Sequence, residues 1–349
     1  MWEEIIKKDY TGYKVEVKDL PISLARNENP YDLPLEIKQE VINKLLNTPW
    51  NRYPDSKAYE LKNALADFLK IPYENILLGN GSGEIINIIS NALLSEGDEV
   101  ILPQPTFPLY KKIFQQKDVI IHDLFLNKED FSMPWEKLDS YKKRSIKLIV
   151  ICNPNNPTGN LLIEPSDLDK ILDFNSIILI DEAYYEFSKV SFIDLINDYP
   201  NIMILRTFSK AFSCAGVRLG YLVAHRNLIN YLENFRLPYN LNIFSQITGT
   251  IVLKYWDILE KRIEEILRYK EEVYSTMRKF ENIKVFPSTT NFLLFRTEKK
   301  ELLDRKLVDW GIALRDFSKE PLLENCLRVT IGSREENEKF LNCLSEVLS

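Results

Sequence analysis

The segment NIMILRTFSKAFSCAGVRLGYLVAH (residues 201–225) places a lysine between two apolar runs. The runs NIMILRT (201–207) and LGYLVAH (219–225) are short and apolar, which predicts two buried strands. Lys210 follows two hydroxyl residues at the end of the first run, and Arg218 comes eight residues later. Because a lysine is seldom buried without a partner, the end of this strand is a candidate functional position.

Five more apolar runs precede this segment and predict further strands; they span residues 75–80, 98–105, 118–126, 146–154 and 176–184. Helix-like periodic stretches separate most of them. Strands that alternate with helices predict an α/β fold, with a mainly parallel seven-stranded sheet flanked by helices. In such sheets ligands bind at the carboxyl ends of the strands, so the residues that follow each run are the candidates for the site.

The chain continues with a long helical pattern, from about residue 242 to residue 280, that contains no proline. After it, short strand-like and helix-like segments alternate up to a final helical pattern, which predicts a smaller α+β domain. We predict a large domain over residues 31–260 and a small domain formed by residues 1–30 and 261–349.

The composition excludes several classes of protein. Apolar residues make up 45% of the 349 residues and charged residues 28%, a balance typical of globular proteins. The formal net charge of −6 argues against a nucleic-acid or anionic-membrane partner, which would require a basic surface. No apolar run approaches the roughly 18 residues of a membrane span, and the first ten residues lack the apolar core of a signal peptide. We therefore expect a cytoplasmic protein.

The cysteines point away from metal or redox chemistry. They lie far apart and lack CxxC spacing; they are Cys152, Cys214, Cys326 and Cys343. We expect reduced cysteines that pack in the interior, and no metal site.

The turn GNGSGE (79–84) follows the first predicted strand and opens a helix at about Gly83. Free backbone N–H groups and the helix dipole make such a turn suitable for binding a phosphate. A glycine turn before a helix is nevertheless structural more often than not. The segment lacks the patterns GxxxxGK[ST] and GxGxxG, so neither a nucleoside triphosphate nor a dinucleotide is favoured.

Two further polar segments follow predicted strands. NPNNPTG (153–159) is a rigid turn with amide side chains to spare, although it is also interpretable as a turn without function. In DEAYYEF (181–187), Asp181 and Glu182 end a buried strand, where a carboxylate requires a compensating cation. Adjacent strand residues point to opposite faces and cannot easily chelate one metal ion, so a single carboxylate facing an organic cation is the better interpretation.

These segments complement one another. Together they supply an amine that can form a Schiff base, a carboxylate that can hold a ring cation, a phosphate site and a nearby arginine. A pyridoxal phosphate enzyme requires this set of groups.

The order and spacing of the motifs resemble a known family. NPNNPTG, DEAYYEF, SKAFSCAGVRLG and LRVTIGSREEN (327–337) are similar to the motifs of fold type I aminotransferases, and within them to the histidinol-phosphate aminotransferase branch. The resemblance extends over nearly the whole chain, from LARNENPY (24–31) onward. It implies a pyridoxal 5'-phosphate enzyme that transfers an amino group from L-histidinol phosphate to 2-oxoglutarate in histidine biosynthesis.

The resemblance also implies roles at the cofactor ring. Lys210 would bind the cofactor covalently and then move the substrate proton, and Asp181 would pair with the pyridinium N–H. Tyr184 and Asn156 would hydrogen-bond the ring hydroxyl. Tyr110 would stack on the ring face.

For the cofactor phosphate, the resemblance implies a set of backbone and side-chain ligands: Gly81, Ser82, Gly83, Thr207, Ser209 and Arg218. Tyr53 would reach this phosphate from the other subunit, which implies a homodimer with shared sites. Related sequences usually carry an acidic residue at position 83. Since the phosphate ligands are mainly backbone groups, we expect cofactor binding to survive this change.

At the substrate, the resemblance implies that Arg328 clamps a carboxylate in a bidentate pair and that Arg315 binds the distal phosphate of histidinol phosphate. Asn27 and either Tyr10 or Tyr13 would line the mouth of the site.

Alternative functions stay open. Threonine-phosphate decarboxylase shares the same motifs, and a broad aromatic aminotransferase would leave Arg315 without a group to bind. A pyridoxal-phosphate-binding regulator without catalysis would be expected to carry an added DNA-binding segment. A nicotinamide-dependent dehydrogenase would require GxGxxG near the first strand.

Overall fold

The computed structural model describes residues 17–348. Its strands, in chain order, are β1 (Ile22–Ser23), β2 (Ile76–Gly79), β3 (Glu99–Gln104), β4 (Ile120–Phe125), β5 (Ile146–Cys152), β6 (Ile177–Asp181), β7 (Ile202–Thr207), β8 (Gly220–Ala224), β9 (Lys284–Val285), β10 (Phe292–Arg296), β11 (Ile312–Ala313), β12 (Arg315–Asp316) and β13 (Cys326–Thr330). Its α-helices are α1 (Leu35–Leu46), α2 (Tyr59–Leu69), α3 (Ser82–Leu93), α4 (Leu109–Gln115), α5 (Trp135–Asp139), α6 (Leu168–Leu172), α7 (Tyr185–Ser188), α8 (Arg226–Glu233), α9 (Ile243–Leu253), α10 (Trp256–Met277), α11 (Lys300–Asp309) and α12 (Arg334–Leu348).

Strands β2 to β8 form one seven-stranded sheet in the order β2-β8-β7-β6-β5-β3-β4. β8 runs antiparallel to both of its neighbours, β2 and β7. The other four pairings are parallel: β3 with β4, β3 with β5, β5 with β6, and β6 with β7. The predicted mainly parallel seven-stranded sheet is therefore confirmed, and each strand lies within the apolar run that predicted it.

Both faces of this sheet are buried. Along β7, Ile202 and Ile204 face one apolar layer, whereas Met203 and Leu205 face the other. This double burial explains why the strands appear in the sequence as continuous apolar runs rather than as alternating patterns. Because the alternation continues to the strand end, Arg206 and Thr207 also lie on opposite faces.

A second, antiparallel sheet has the order β12-β13-β10-β9, and β1 pairs with β11 in a short parallel ribbon. The predicted smaller α+β unit is thus present in the fold. The predicted boundary after residue 260 falls inside α10, a helix that runs without interruption from Trp256 to Met277. The exact domain limits stay a prediction.

The long helical pattern of residues 242–280 is divided into two helices. Asn242 caps α9 through its side chain, which accepts a hydrogen bond from the Ser245 backbone N–H at 2.8 Å. The chain turns at Lys254 and Tyr255, and both side chains bind Glu40 of α1, at 2.9 and 2.6 Å. A tertiary contact with α1 therefore fixes a break that the sequence does not signal.

The cysteines are free and buried, as the sequence indicates. Among residues 17–348, no helix combines the length and apolar character needed to cross a membrane.

Candidate active site

A cavity of about 540 Å³ lies between the two sheets, at the carboxyl ends of β5, β6 and β7. The large sheet contributes residues at or just after the ends of these three strands to the cavity wall: Cys152, Asn156, Asp181, Tyr184, Thr207, Ser209 and Lys210. The small sheet contributes Arg315, Phe317 and Arg328. This location agrees with the general position of ligand sites in parallel sheets.

Lys210 extends into this cavity, and its Nζ donates a hydrogen bond to the Arg26 carbonyl oxygen at 2.8 Å. Burial lowers the pKa of Lys210 to about 7, and the positive charges of Arg328 and Arg218 act in the same direction. The charge of Glu28 opposes them. Near neutral pH a substantial fraction of Lys210 is therefore a neutral amine, which is the form that reacts with a carbonyl group.

Asp181 is buried beside the lysine at the end of β6. Its Oδ2 accepts a hydrogen bond from the Tyr110 hydroxyl at 2.7 Å, and its Oδ1 accepts one from the Ala183 backbone N–H at 3.1 Å. Burial raises the pKa of Asp181 to about 6, against the effect of these hydrogen bonds. At pH 7 the group is still mostly a carboxylate, and a cationic N–H from the cavity would stabilise it.

Tyr110 does not occupy the place that the sequence predicted for it. The side chain is fully buried and does not line the cavity. Its hydroxyl donates to Asp181 Oδ2 inside the protein. Phe107, three residues earlier, lines the cavity instead. The structure therefore does not place Tyr110 on the cavity wall, and its stacking on a ring stays a prediction. Of the two aromatic residues in PTFPLY (105–110), Phe107 is the one that lines the cavity.

The glycine turn and Arg218 fit together closely. Gly81 has φ +77°, and a Cβ atom there would collide with the Arg218 guanidinium. A Cβ atom on Gly220 would lie 2.5 Å from the Ser82 backbone nitrogen. These glycines hold Arg218 against the N-terminus of α3, where backbone N–H groups and a guanidinium can bind one anion.

Gly83 and Ser82 line the cavity at this turn, with Thr207 and Ser209. A Cβ atom on Gly83 would meet only a Leu109 side-chain atom, at 3.5 Å. The packing therefore does not require a glycine at position 83.

Only one asparagine of NPNNPTG faces the cavity. Asn153 accepts backbone hydrogen bonds from Leu162 and Ile163, and Asn155 donates to the Pro105 carbonyl oxygen at 2.9 Å. These two side chains build the turn. Asn156 lines the cavity, and its Oδ1 accepts a hydrogen bond from Arg328. The motif is therefore a structural turn at Asn153 and Asn155 and part of the cavity wall at Asn156.

Tyr184 also lines the cavity, and its hydroxyl oxygen accepts a hydrogen bond from Asn27 Nδ2 at 2.8 Å. Burial raises the pKa of Tyr184 to about 12, although nearby Arg328 and the Asn27 hydrogen bond lower it. The phenol is therefore protonated at neutral pH. The predicted mouth residues Tyr10 and Tyr13 lie outside the described residues.

Arg315 and Arg328 are directly opposite each other on the antiparallel strands β12 and β13. Their guanidinium carbons lie 5.7 and 5.2 Å from the ring centre of Phe317. Like charges in opposite positions destabilise a sheet. A cavity wall that contains such a pair is suited to an anionic ligand.

Tyr53 stands apart from these groups. Its side chain is 81% exposed, and its ring stacks on Tyr239 with 4.5 Å between the ring centres. It does not line the cavity of its own chain.

Comparison with known proteins agrees with this geometry. Residues 21–344 match the family model "Aminotransferase class I and II". The chain belongs to this family.

A curated relative from Ruminiclostridium cellulolyticum is 37% identical over 98% of both chains, and one from a Thermoanaerobacter species is 38% identical over the full length of both. Each is named histidinol-phosphate aminotransferase. A crystal structure of the enzyme of that name from Clostridium acetobutylicum superposes with a TM-score of 0.85 at 25% identity, and covers 93% of this chain and 98% of that one.

The aminotransferase uses pyridoxal phosphate as its cofactor, and the cavity residues fit this group. The amine of Lys210 suits the aldehyde, and the buried carboxylate of Asp181 suits a protonated ring nitrogen. The glycine turn beside Arg218 suits the phosphate. The three sites surround one cavity.

Phe107 and Cys152 are among the cavity residues that lie outside the sequence prediction. Phe107 belongs to PTFPLY (105–110), where the choice between two aromatic residues depends on where α4 begins, and it begins at Leu109. Cys152 lies at the end of β5, with its Sγ 3.9 Å from Asp181 Oδ2. The strand alternation that placed Asp181 could also have placed this cysteine on the cavity face.

Proposed function

We propose that the aminotransferase transfers the amino group of L-histidinol phosphate to 2-oxoglutarate, which yields imidazole-acetol phosphate and glutamate. This is a reaction of histidine biosynthesis, and we place it in the cytoplasm. The observation that carries the proposal is the arginine pair of β12 and β13, which faces the same cavity as Lys210. The names of the relatives support the choice of substrate.

The charges around the cavity favour two separate anions. Arg218 stands at the glycine turn, and Arg315 and Arg328 stand on the small sheet. One cluster suits the cofactor phosphate. The other suits the phosphate of the amino donor in the first half of the reaction and a carboxylate of 2-oxoglutarate in the second. Glu28 and Asp181 are the carboxylates among the lining residues, so the wall is predominantly cationic.

Each residue then has a defined task. Bound pyridoxal phosphate supplies an aldehyde for the amino group and a ring that takes up electron density when the Cα–H bond breaks. Lys210 would hold the cofactor by its Nζ and, once released, would accept the Cα proton at that nitrogen. Asp181 would keep a proton on the ring nitrogen. Tyr184 and Asn156 would bind the ring hydroxyl, and Phe107 would cover one ring face.

We propose that two chains form a homodimer with shared sites. Large apolar side chains are exposed on α1 and the loop after it, among them Leu35 (77%), Leu46 (74%) and Trp50 (74%). Tyr53 follows in the same loop and does not reach its own cavity. A second copy that covers this surface would remove the apolar residues from water and would carry Tyr53 toward the partner's cofactor phosphate.

Subunit mixing tests the shared site. Neither Lys210→Ala nor Tyr53→Phe dimers contain a native site, but a mixed dimer contains one site with Lys210 from one chain and Tyr53 from the other. We expect mixing to restore native cofactor affinity in up to half of the sites of the mixed dimers. An active protein that sediments as a monomer at all concentrations would refute the shared site.

Arg315→Gln tests the substrate assignment. We expect kcat/KM for histidinol phosphate to fall by a factor that corresponds to about 2–3 kcal/mol of lost transition-state stabilisation, because a charge-assisted hydrogen bond to phosphate is lost. Histidinol, which lacks the phosphate, serves as the control substrate, and its kcat/KM should hardly change. An equal loss for both substrates would contradict phosphate binding by Arg315. Release of carbon dioxide from threonine phosphate, or faster turnover of phenylalanine, would favour the alternative functions.

A further inference from the structure

Asn27 belongs to a short hydrogen-bonded chain that leads from the small sheet to the cavity. The Asn27 backbone N–H donates to Thr330 Oγ1 at 2.9 Å, and Thr330 Oγ1 donates to Asn27 Oδ1 at 3.1 Å. Asn27 Nδ2 then donates to the Tyr184 hydroxyl oxygen at 2.8 Å. Both ends of the side-chain amide are therefore used within the protein, and the side chain is only 1% exposed.

The hydrogen bonds of this chain run in a consistent direction. The Thr330 hydroxyl accepts from a backbone N–H and donates its proton to Asn27 Oδ1. With Oδ1 bound there, the amide nitrogen Nδ2 faces Tyr184. Because Nδ2 can only donate, Tyr184 accepts there, and its own proton points elsewhere. Within residues 17–348 that proton has no acceptor, and Tyr184 lines the cavity.

The backbone around Asn27 supports this arrangement. Asn27 has φ +53°, a left-handed conformation that asparagine tolerates better than most residues. Its carbonyl oxygen accepts from Asn291 Nδ2 at 3.2 Å. On either side, the Ala25 carbonyl accepts from Arg328 at 2.7 Å, and the Arg26 carbonyl accepts from Lys210 at 2.8 Å. Residues 25–27 thus connect the small sheet to the functional side chains of the large sheet.

We propose that Asn27 is a positioning residue, whose amide orients the Tyr184 hydroxyl so that its proton points into the cavity toward the ring oxygen of the cofactor. The sequence predicts Asn27 at the substrate mouth, and the side chain does line the cavity, with Nδ2 donating to Tyr184 and Oδ1 accepting from Thr330. The proposal rests on the role of Tyr184 in the proposed function. It adds that Asn27 acts on the cofactor through Tyr184.

Two substitutions separate the amide from the backbone. Asn27→Asp keeps the shape but replaces the donor Nδ2 by an acceptor, which draws the Tyr184 proton away from the cavity. Asn27→Gly removes the side chain and suits the positive φ, so the backbone hydrogen bonds are retained. Asn29→Asp is a matched control, since Asn29 lies in the same segment and its Nδ2 contacts the Ala211 carbonyl oxygen at 3.3 Å.

The measurement is the dissociation constant of pyridoxal phosphate from the apoprotein, by fluorescence titration. We expect Asn27→Asp and Asn27→Gly to weaken binding about fivefold, the effect of one hydrogen bond, and Asn29→Asp to leave it unchanged. In a Tyr184→Phe background the same Asn27 substitutions should change binding less than about twofold, because the group through which they act is gone. The 3-deoxy analogue of the cofactor, which lacks the ring hydroxyl, should bind wild type and the Asn27 variants equally.

Two outcomes would overturn the proposal. If the Asn27 substitutions weaken binding as much with Tyr184→Phe as with Tyr184, the residue supports the fold and not the phenol. If the 3-deoxy analogue loses as much affinity as the natural cofactor, the effect does not pass through the ring hydroxyl. Since no amino donor enters these measurements, they give the same answer whether or not histidinol phosphate is the substrate. Failure of the proposed function would appear only in the substrate assays.

Discussion

Asp181 and Glu182 are neighbours in the chain, yet they lie on opposite faces of the sheet in very different surroundings. Glu182 Oε2 accepts hydrogen bonds from Arg206 Nε and Nη2 at 2.9 and 2.7 Å, and Ser191 completes the contact at 2.9 Å. The Arg206 guanidinium also lies 3.7 Å from the ring centre of Tyr185. Asp181 has neutral hydrogen-bond donors and no side-chain cation in hydrogen-bond contact within the described part of the chain.

This difference separates stability from function. The Glu182–Arg206 pair is buried and complete, so it joins the ends of β6 and β7 without any ligand. The Asp181 carboxylate is costly until a cationic ring nitrogen reaches it, and Lys210 is likewise shifted toward its neutral form. On the cavity face the protein therefore keeps a carboxylate without a cationic partner, as functional sites often do. On the other face the Glu182 carboxylate is fully paired and stabilises the strand ends.

The largest expected effect comes from Asp181→Asn. We expect kcat/KM to fall on the order of 10⁴-fold, as when a carboxylate that holds a catalytic imidazolium is amidated. The apoprotein should be at least as stable as wild type at pH 8. A folded-state pKa of about 6, above the usual aspartate value of 3.8, means that Asp181 lowers stability as pH rises through this interval, and asparagine removes that cost. Urea denaturation of the apoprotein measures the stability, and a marked loss there would place Asp181 among the structural charges.

Glu182→Gln should show the opposite behaviour. Removal of the charge leaves Arg206 buried without its carboxylate, which we expect to cost about 3–5 kcal/mol in the free energy of unfolding. The urea midpoint of the apoprotein measures this loss. Cofactor affinity of the protein that remains folded should stay within about threefold of wild type, since Glu182 does not line the cavity. A large loss of affinity with unchanged stability would break the comparison.

Glu186→Gln tests a second buried carboxyl group, which lies close enough to the Glu182–Arg206 pair to be influenced by both charges. Glu186 is 3% exposed, and its Oε2 has no hydrogen-bond partner among the described residues. Burial raises the pKa of Glu186 to about 7, above the usual glutamate value of 4.5. In wild type this group therefore lowers stability as pH rises from about 4.5 through 7.

In Glu186→Gln that pH dependence should shrink, with a gain of roughly 1–3 kcal/mol at pH 8. Urea midpoints of the apoprotein at pH 5 and pH 8 measure it. Glu182→Gln serves as the contrasting variant, because it loses stability at both values. An unchanged difference between the two midpoints would mean that Glu186 is ionised in the native state.

The strands of the large sheet could be predicted from the sequence because burial on both faces makes each a continuous apolar run. The break between α9 and α10 could not, because it depends on Glu40, more than two hundred residues earlier in the chain. The pairing of β12 with β13 is likewise a tertiary event. It brings Arg315 opposite Arg328, although thirteen residues separate them in the sequence.

Within the site, the sequence identified residue types at strand ends but not the partners of each side chain. Residues that follow strands, such as Lys210 and Asp181, were predictable because strand direction fixes their place. The sequence predicts ligand contacts for Tyr110 and Asn27. In the structure Tyr110 donates to Asp181 away from the cavity wall, whereas Asn27 lines the cavity and also donates to Tyr184. Whether an aromatic or amide side chain meets the ligand or a neighbouring residue depends on helix position and backbone φ, and the local sequence does not encode these.

The smallest effect expected here is that of Tyr110→Phe, and it tests how the protein holds Asp181 ionised. Tyr110 makes the strongest hydrogen bond that lowers the pKa of Asp181, so its loss should move that pKa upward from about 6. Cofactor affinity should then fall by about 1 kcal/mol near pH 6.5 and by less at pH 8, where Asp181 is ionised in both proteins. Cys152, Glu182 and the Ala183 N–H also act on this carboxyl group, and they are unchanged by the substitution. Tyr231→Phe is the control, since Tyr231 bonds the Ala92 carbonyl at 3.2 Å and does not line the cavity. A loss of affinity that is the same at both pH values would show that Tyr110 acts by packing alone.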